Sequence, residues 1–214
     1  MSTIKRYAGA EITVAYDVAR CIHAAECVHG LPAVFDPNGK PWIQPANAAA
    51  QALADTVARC PTGALQVQRN DGRPAEAVPA TNEATLCAGG PVYLRGDIEV
   101  RDRSGNLVAR ETRMALCRCG ASANKPYCDR SHERVGFADP GDFSAEVEFA
   151  GPADGALVVV ANPNGPLHIQ GKLALRRADG SLAAAAAQCW LCRCGSSANK
   201  PFCDGTHKKI GFQG

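Results

Sequence analysis

Cys117–His132 reads CRCGASANKPYCDRSH and Cys192–His207 reads CRCGSSANKPFCDGTH, one sixteen-residue pattern written twice. The spacing is C-x-C-x8-C-x3-H in both, and Cys117 and Cys192 lie 75 positions apart. Outward from these stretches the same register continues without a gap. Gly90 pairs with Gly165, Gly96 with Gly171, Gly105 with Gly180 and Phe137 with Phe212. Two copies of one unit, 88–137 and 163–212, therefore fill the C-terminal portion of the chain.

The first half of each copy predicts strands. Val92, Leu94, Ile98 and Val100 alternate with polar residues ahead of a turn at Ser104-Gly105-Asn106. The second copy repeats this with Leu167, Ile169, Leu173 and Leu175 ahead of Asp179-Gly180. A loop rich in Gly, Ser, Asn and Pro follows, and Cys-Asp-x-x-His is expected to open a short helix.

The ligand set in the first copy is Cys117, Cys119, Cys128 and His132, and in the second Cys192, Cys194, Cys203 and His207. A helix opened by Cys128 carries His132 four residues on, so thiolate and imidazole share a face and converge on one iron. Cys117 and Cys119, one residue apart on extended chain, point to the same side and hold the other. Three thiolates around an oxidised [2Fe–2S] core leave a net charge of about −1, which a helix N-terminus stabilises. Pro126 and Pro201 fix φ ahead of the third cysteine, and Gly120 and Gly195 allow a turn hard against the cluster. Ser122 and Ser197 are expected to donate to cluster sulfurs, and Asp129 and Asp204 to accept backbone N–H groups. Zinc takes the same Cys3His set but more often uses C-x2-C knuckles.

These residues make the region from about 86 to 214 similar to the CDGSH iron–sulfur, or NEET, proteins, whose signature is C-x-C-x2-[ST]-x3-P-x-C-D-G-x-H. The second copy matches throughout, and the first carries Arg130 in place of glycine. The resemblance implies a [2Fe–2S] cluster in each copy, with C-x-C on one iron and Cys plus His on the other. It also implies a β-rich fold whose two copies form an internal pseudo-dimer within a monomer.

Upstream, Cys21-Ile22-His23-Ala24-Ala25-Glu26-Cys27 and a distant Cys60-Pro61 follow the bacterial ferredoxin pattern with alanine in the middle cysteine slot. Three thiolates, Cys21, Cys27 and Cys60, suit a [3Fe–4S] centre, or a [4Fe–4S] centre whose fourth iron takes His23, another side chain or water. The stretch from about 10 to 70 resembles divergent mono-cluster ferredoxin-like domains, which share the CIHxxxC and CPxGAL runs. Strand-like Glu11 to Tyr16, a helical pattern through Ala48, Ala49, Leu53 and Val57, and strand-like Ala64 to Gln68 accompany it. The expected organisation is α+β: a small ferredoxin-like domain over 1–72, a polar, proline-bearing linker over 73–85 and a β-rich tandem domain over 86–214 with internal pseudo-two-fold symmetry.

Eleven cysteines at ligand-like spacing beside histidines read as metal ligands in a reducing compartment rather than as disulfides. The three centres use nine of them and leave Cys87 and Cys189 as inert thiols; His23 and His29 are expected to be loop residues rather than ligands, and His168 to lie in a strand. Lys plus Arg of 23 against Asp plus Glu of 21 gives a charge of +2, too balanced for a nucleic-acid or membrane footprint. No apolar run has the length of a signal peptide or a bilayer span, so the expected location is cytoplasmic. There is no Gly-rich nucleotide fingerprint, nucleophile elbow or H-E-x-x-H, which argues against an enzyme. The expected role is electron transfer among the clusters and with redox partner proteins. Cluster storage, sensing or transfer to apo-acceptors is the alternative.

Overall fold

This computed structural model describes residues 3–144 and 155–214, and the chain divides into two compact units, Met1–Ala77 and Val78–Gly214. Residues 145–154, within the expected tandem domain, lie outside the described residues. Among the described residues no helix is long and apolar enough to cross a membrane.

The first unit is a three-stranded antiparallel sheet, β1 (Ile4–Ala8), β2 (Ile12–Asp17) and β3 (Leu65–Arg69), with β2 in the middle. Between β2 and β3 come α1 (Glu26–Gly30) and α2 (Ala50–Val57). Ala50, Leu53, Ala54 and Val57 fall at helical spacing, and all four are buried with Ile12, Val14 and Leu65 of the sheet. Trp42 gathers the aromatic side of this core, with Tyr16 edge-on at 5.1 Å and Phe35 at 6.0 Å between ring centroids. The helix and both expected strands form; β1, whose residues are mostly exposed, has no buried alternation to reveal it in the sequence.

Among the described residues the second unit is a six-stranded sheet. Its two long hairpins are β5 (Val92–Arg101) with β6 (Leu107–Leu116), and β8 (Leu167–Arg176) with β9 (Leu182–Leu191). Their registers coincide after the 75-residue shift: Val92 faces Leu116 as Leu167 faces Leu191, and each hairpin is irregular at the same place, Arg95/Ile98 and Gln170/Leu173. Val92, Leu94, Ile98, Leu167, Ile169, Leu173 and Leu175 are all fully buried in one continuous core.

Two shorter strands, β4 (Glu83–Leu86) and β7 (Leu157–Ala161), lie between the hairpins. Each runs antiparallel to the long strand of its own repeat and parallel to that of the other: Glu83 pairs with Arg95 and Ala174, Val158 with Gln170 and Glu99. Thus the repeats exchange strands across a pseudo-two-fold axis. The linker expectation is corrected here, because its last residues, 83–85, are sheet. Hydrogen bonding to two long strands outweighs the polar composition of that stretch.

The N-terminal ends of β4 and β7 approach each other opposite the two hairpin irregularities, where Gly96 and Gly171 leave space. A Cβ on Gly96 would run into the Asn82 side chain, and one on Gly171 would sit 2.7 Å from the Ala156 carbonyl oxygen. Asn82 is 1% exposed. Its amide donates to Gly155 O at 2.8 Å and Lys172 O at 3.2 Å, and its carbonyl accepts from the Asp97 amide at 3.0 Å. Replacing it removes three hydrogen bonds at a buried position, each worth about 1 kcal/mol net, so Asn82→Ala is expected to cost about 2–3 kcal/mol of stability. The measurement is urea denaturation, with a lowered midpoint at unchanged slope.

Candidate metal centres

In the second unit the ligand residues come as pairs. Cys117 Sγ and Cys119 Sγ are 3.6 Å apart, and Cys128 Sγ lies 3.4 Å from His132 Nδ1. In the other repeat Cys192 and Cys194 are 3.7 Å apart, and Cys203 Sγ is 3.3 Å from His207 Nδ1. Among the described residues no three His, Cys, Asp or Glu side chains gather about one point as a single metal ion requires. Two pairs per repeat fit a binuclear core, one pair to each iron, better than a tetrahedral zinc.

The pairs are held by the sheet and by the loop's own hydrogen bonds. The Cys128 amide donates to Ala115 O and the Cys117 amide to Pro126 O, tying the loop back onto the end of β6; Cys192 and Cys203 repeat both bonds with Pro201 O and Trp190 O. As expected, Asp129 accepts from the Ala123 and Ser131 amides, and Asp204 from those of Ala198 and Thr206. Those amide donors hold the Asp204 carboxyl well below the usual carboxylate range.

Two expectations are corrected. Ser122 and Ser197 do not aim their hydroxyls at sulfur: they donate to Tyr127 O and Phe202 O at 2.7 Å and accept from the Asn124 and Asn199 amides. Closing the loop on itself satisfies these buried hydroxyls. The helices open later than expected, as α3 (Ser131–Arg134) and α4 (Thr206–Lys209), because Arg130 and Gly205 are left-handed and break the helical run. In place of a helix terminus at the third cysteine, the amides of Arg130 and Gly205 themselves lie 3.4 Å from Cys128 Sγ and Cys203 Sγ. Arg130 at φ 68° keeps the conformation Gly205 has at φ 84°. The left-handed form costs a non-glycine residue roughly 1–2 kcal/mol, and the Arg130 guanidinium pairs with Glu133 at 2.8 Å.

The two C-x-C loops touch. A Cβ on Gly120 would stand 2.5 Å from Cys194 O, and one on Gly195 2.5 Å from Cys119 O. Both glycines also have positive φ, 78° and 81°. The residue inside each C-x-C, which the motif reading passed over, is a buried arginine. Arg118 donates to Gly90 O, Cys87 O and Asp139; Arg193 donates to Gly165 O, Asn162 O and Gly214 O. Their guanidinium groups lie over Phe137 and Phe212, at 5.5 and 5.4 Å from the ring centroids. The available signal is an identical cation in both copies between two ligand cysteines.

The hydrogen bond between Cys117 and Cys119 draws the Cys117 thiol down to about 6 and pushes that of Cys119 up. Burial pushes Cys128 up to about 11. Cys189 lies in the core, its thiol raised to about 12 by burial, and Cys87 is half-buried. His168 stacks on Trp190 across β8 and β9, with ring centroids 4.7 Å apart.

In the first unit Cys21, Cys27 and Cys60 line one cavity of about 300 Å³ with Tyr16, Trp42 and Leu65 in its wall. That is the space of roughly ten liquid waters, so the eight iron and sulfide atoms of a cubane fit. The cysteine segments are joined across it: the Arg20 guanidinium donates to Thr62 O at 2.6 Å, and Cys60 Sγ lies 3.6 Å from Thr62 Oγ1. Burial, then neighbouring Cys60 and Cys21, raises the Cys27 thiol. His23, expected to be a plain loop residue, lines the cavity; His29 lies in α1.

Residues 7–70 match the family model described as a divergent 4Fe-4S mono-cluster. Residues 89–133 and 164–208 each match the iron-binding zinc finger of CDGSH type. Two relatives, the uncharacterized protein YjdI of Escherichia coli strain K12 and of Escherichia coli O157:H7, are 35% identical over 60 residues. The match spans 28% of this chain and 79% of each relative. No solved structure matches.

The reciprocal glycine contact makes each centre depend on the other repeat. Gly195→Ala is expected to reduce cluster loading at the Cys117 site as well as at its own. Visible absorption and iron content, compared with Gly180→Ala in an open turn with nothing within 4 Å, measure this. Loss confined to the Cys192 site would count against the coupling.

Proposed function

We propose an electron-carrying role for this chain, which belongs to the divergent 4Fe–4S mono-cluster family and joins that domain to two CDGSH iron-binding domains. In this reading Cys117, Cys119, Cys128 and His132 hold one [2Fe–2S] cluster and Cys192, Cys194, Cys203 and His207 a second. The cavity bounded by Cys21, Cys27 and Cys60 holds a [4Fe–4S] cluster, in preference to the [3Fe–4S] form that thiolate count alone favours. The clusters supply one-electron chemistry; the residues fix them, exclude water and set their potentials.

The observation that carries the reading is the packing of the two C-x-C loops, Gly120 against Cys194 and Gly195 against Cys119. Backbones in direct contact leave no water layer between the two thiolate pairs. Most of the thiols lie inside: Cys117 is 1% exposed, Cys128 3%, Cys192 4% and Cys194 9%. Ligands so enclosed favour retention of the cluster through a redox cycle, and the partners implied are redox proteins. The chain in this reading has no catalytic activity of its own.

Cluster transfer to apo-acceptors is the second reading, and the half-buried histidines favour it, because imidazole protonation competes with iron. Repeated reduction and reoxidation of the anaerobic protein separates the two. Electron transfer predicts that the visible bands return in full and that an apo-acceptor takes up no iron from either redox state; delivery of iron and sulfide to the acceptor would overturn it.

The histidines give a further expectation. A neutral imidazole in place of a thiolate removes one negative charge and stabilises the reduced cluster. Centres with two histidines reach about −150 to +300 mV against about −400 mV for all-cysteine ones. The double variant H132C/H207C is therefore expected to lower both potentials in a redox titration. It should also slow bleaching between about pH 5 and 8, where histidine titrates.

A further inference from the structure

The cavity of the first unit presents three thiols, whereas a four-iron cluster has four corners. Besides the cysteines, its wall carries four side chains with a lone pair to give: Tyr16, His23, Glu26 and Thr62. Tyr16 is 9% exposed, and its phenol is already engaged with Cys21. Thr62 Oγ1 accepts from the Ala64 amide at 3.1 Å and contacts Cys60 Sγ, and as a neutral hydroxyl it is a poor ligand for iron. Glu26 would add a fourth negative charge to three thiolates. Its carboxylate is also the ligand type least suited to a sulfide-bridged iron. His23 offers an imidazole, a good ligand for iron and neutral when bound.

The backbone supports the same choice. Ala24 stands where the ferredoxin pattern has its middle cysteine, and the residues on both sides of it are left-handed, His23 at φ 55° and Ala25 at φ 64°. Neither is glycine. Strained conformations of this kind persist where the surroundings impose them and concentrate at ligand sites. Here they accompany a loop whose histidine lines the cavity while remaining exposed, so it stands at the mouth, with the buried walls supplied by Tyr16 and Leu65.

We propose that His23 is the fourth ligand of the N-terminal centre, making it a Cys3His four-iron site whose imidazole closes the cavity mouth. The proposal rests on reading this unit as a cluster domain. It takes the place of a missing cysteine at Ala24 with the residue before it, and it gives all three centres of the chain the same ligand composition.

The test uses the full chain purified without air, with nitrogen-15 histidine incorporated, alongside H23A and H23C. In reduced wild-type protein the fast-relaxing four-iron EPR signal, separated from the two-iron signals by temperature, should carry histidine nitrogen hyperfine coupling. That coupling should vanish in both variants. H23A should in addition lose one iron with sulfide unchanged and gain an oxidised [3Fe–4S] signal approaching one spin per chain, and H23C should restore an EPR-silent oxidised state. If H23A fails to load at all, H23C decides: a loaded four-iron cluster without nitrogen coupling supports the assignment, and an empty site overturns it. Coupling that persists in either variant, absence of coupling in the wild type, or a wild-type [3Fe–4S] centre would each overturn it. Wild-type iron and sulfide sufficient only for the two CDGSH centres would remove the underlying cluster reading as well, which the other outcomes leave intact.

Discussion

The lane between β5 and β8 is one strand wide, and two short strands from different repeats must share it. Neither hairpin can satisfy its inner edge with its own short strand alone, because β4 reaches only Val92–Arg95 and β7 only Leu167–Gln170. The remaining halves, Ile98–Arg101 and Ala174–Arg176, are paired by the strand of the other repeat. An unpaired half-edge in a buried sheet leaves amides and carbonyls without partners. The exchange is thus the condition for either repeat to fold, and it fixes the pseudo-two-fold axis. With the axis fixed, the reciprocal contacts of Gly120 with Cys194 and Gly195 with Cys119 follow as two expressions of one symmetric packing.

How much of this is legible in the sequence depends on which constraint is local. The C-x-C and C-x3-H spacings are local, and the structure brings Cys117 to Cys119 and Cys128 to His132 as that spacing requires. The hairpins are nearly local and show in the alternation of Val92, Leu94 and Ile98. Strand exchange is not local. Residues 83–86, EATL, share no residue with their counterparts 158–161, VVVA, since what those positions must supply is backbone to two neighbours rather than a given side chain. Asn82 is equally hidden: its counterpart is Leu157, and its role exists only where the two strand ends meet. In the first unit the three cysteines are legible, but the cavity they line is made by Trp42 and Tyr16, which no spacing rule connects to them.

Arg118 and Arg193 explain how a loop carrying three thiolates stays in place. A buried guanidinium is costly without partners, and each is surrounded by backbone carbonyls from the segment that leads into its own repeat. The loop is thereby fastened to the sheet at the residue between the two cysteines. The two arginines differ in one respect: Arg118 also meets the buried Asp139 carboxylate at 2.9 Å, whereas Arg193 meets carbonyl oxygens. Burial lowers the Arg193 pKa while the nearby Cys117 sulfur, across the axis, opposes it. A cation from one repeat thus favours the thiolate of the other.

The thiols and the loop respond to acid through different groups. Of the first site's three thiols, Cys117 is drawn down to about 6 by the hydrogen bond from Cys119, while Cys119 is pushed up by that same bond and Cys128 is raised to about 11 by burial. Iron binds thiolates, so loading displaces the protons that Cys119 and Cys128 hold. Loading strengthens as pH rises and weakens as pH falls through the range where thiols and imidazole compete with iron. The loop's shape depends instead on Asp129 and Asp204, both held below the ordinary carboxylate range. For a lowered carboxylate the stabilisation is present above the unfolded value of about 3.9 and is lost only as pH drops through the folded one. The two windows do not overlap near neutrality. Mild acid therefore acts on the ligands first, while the hydrogen bonds of Asp129 and Asp204 that shape the loop still hold.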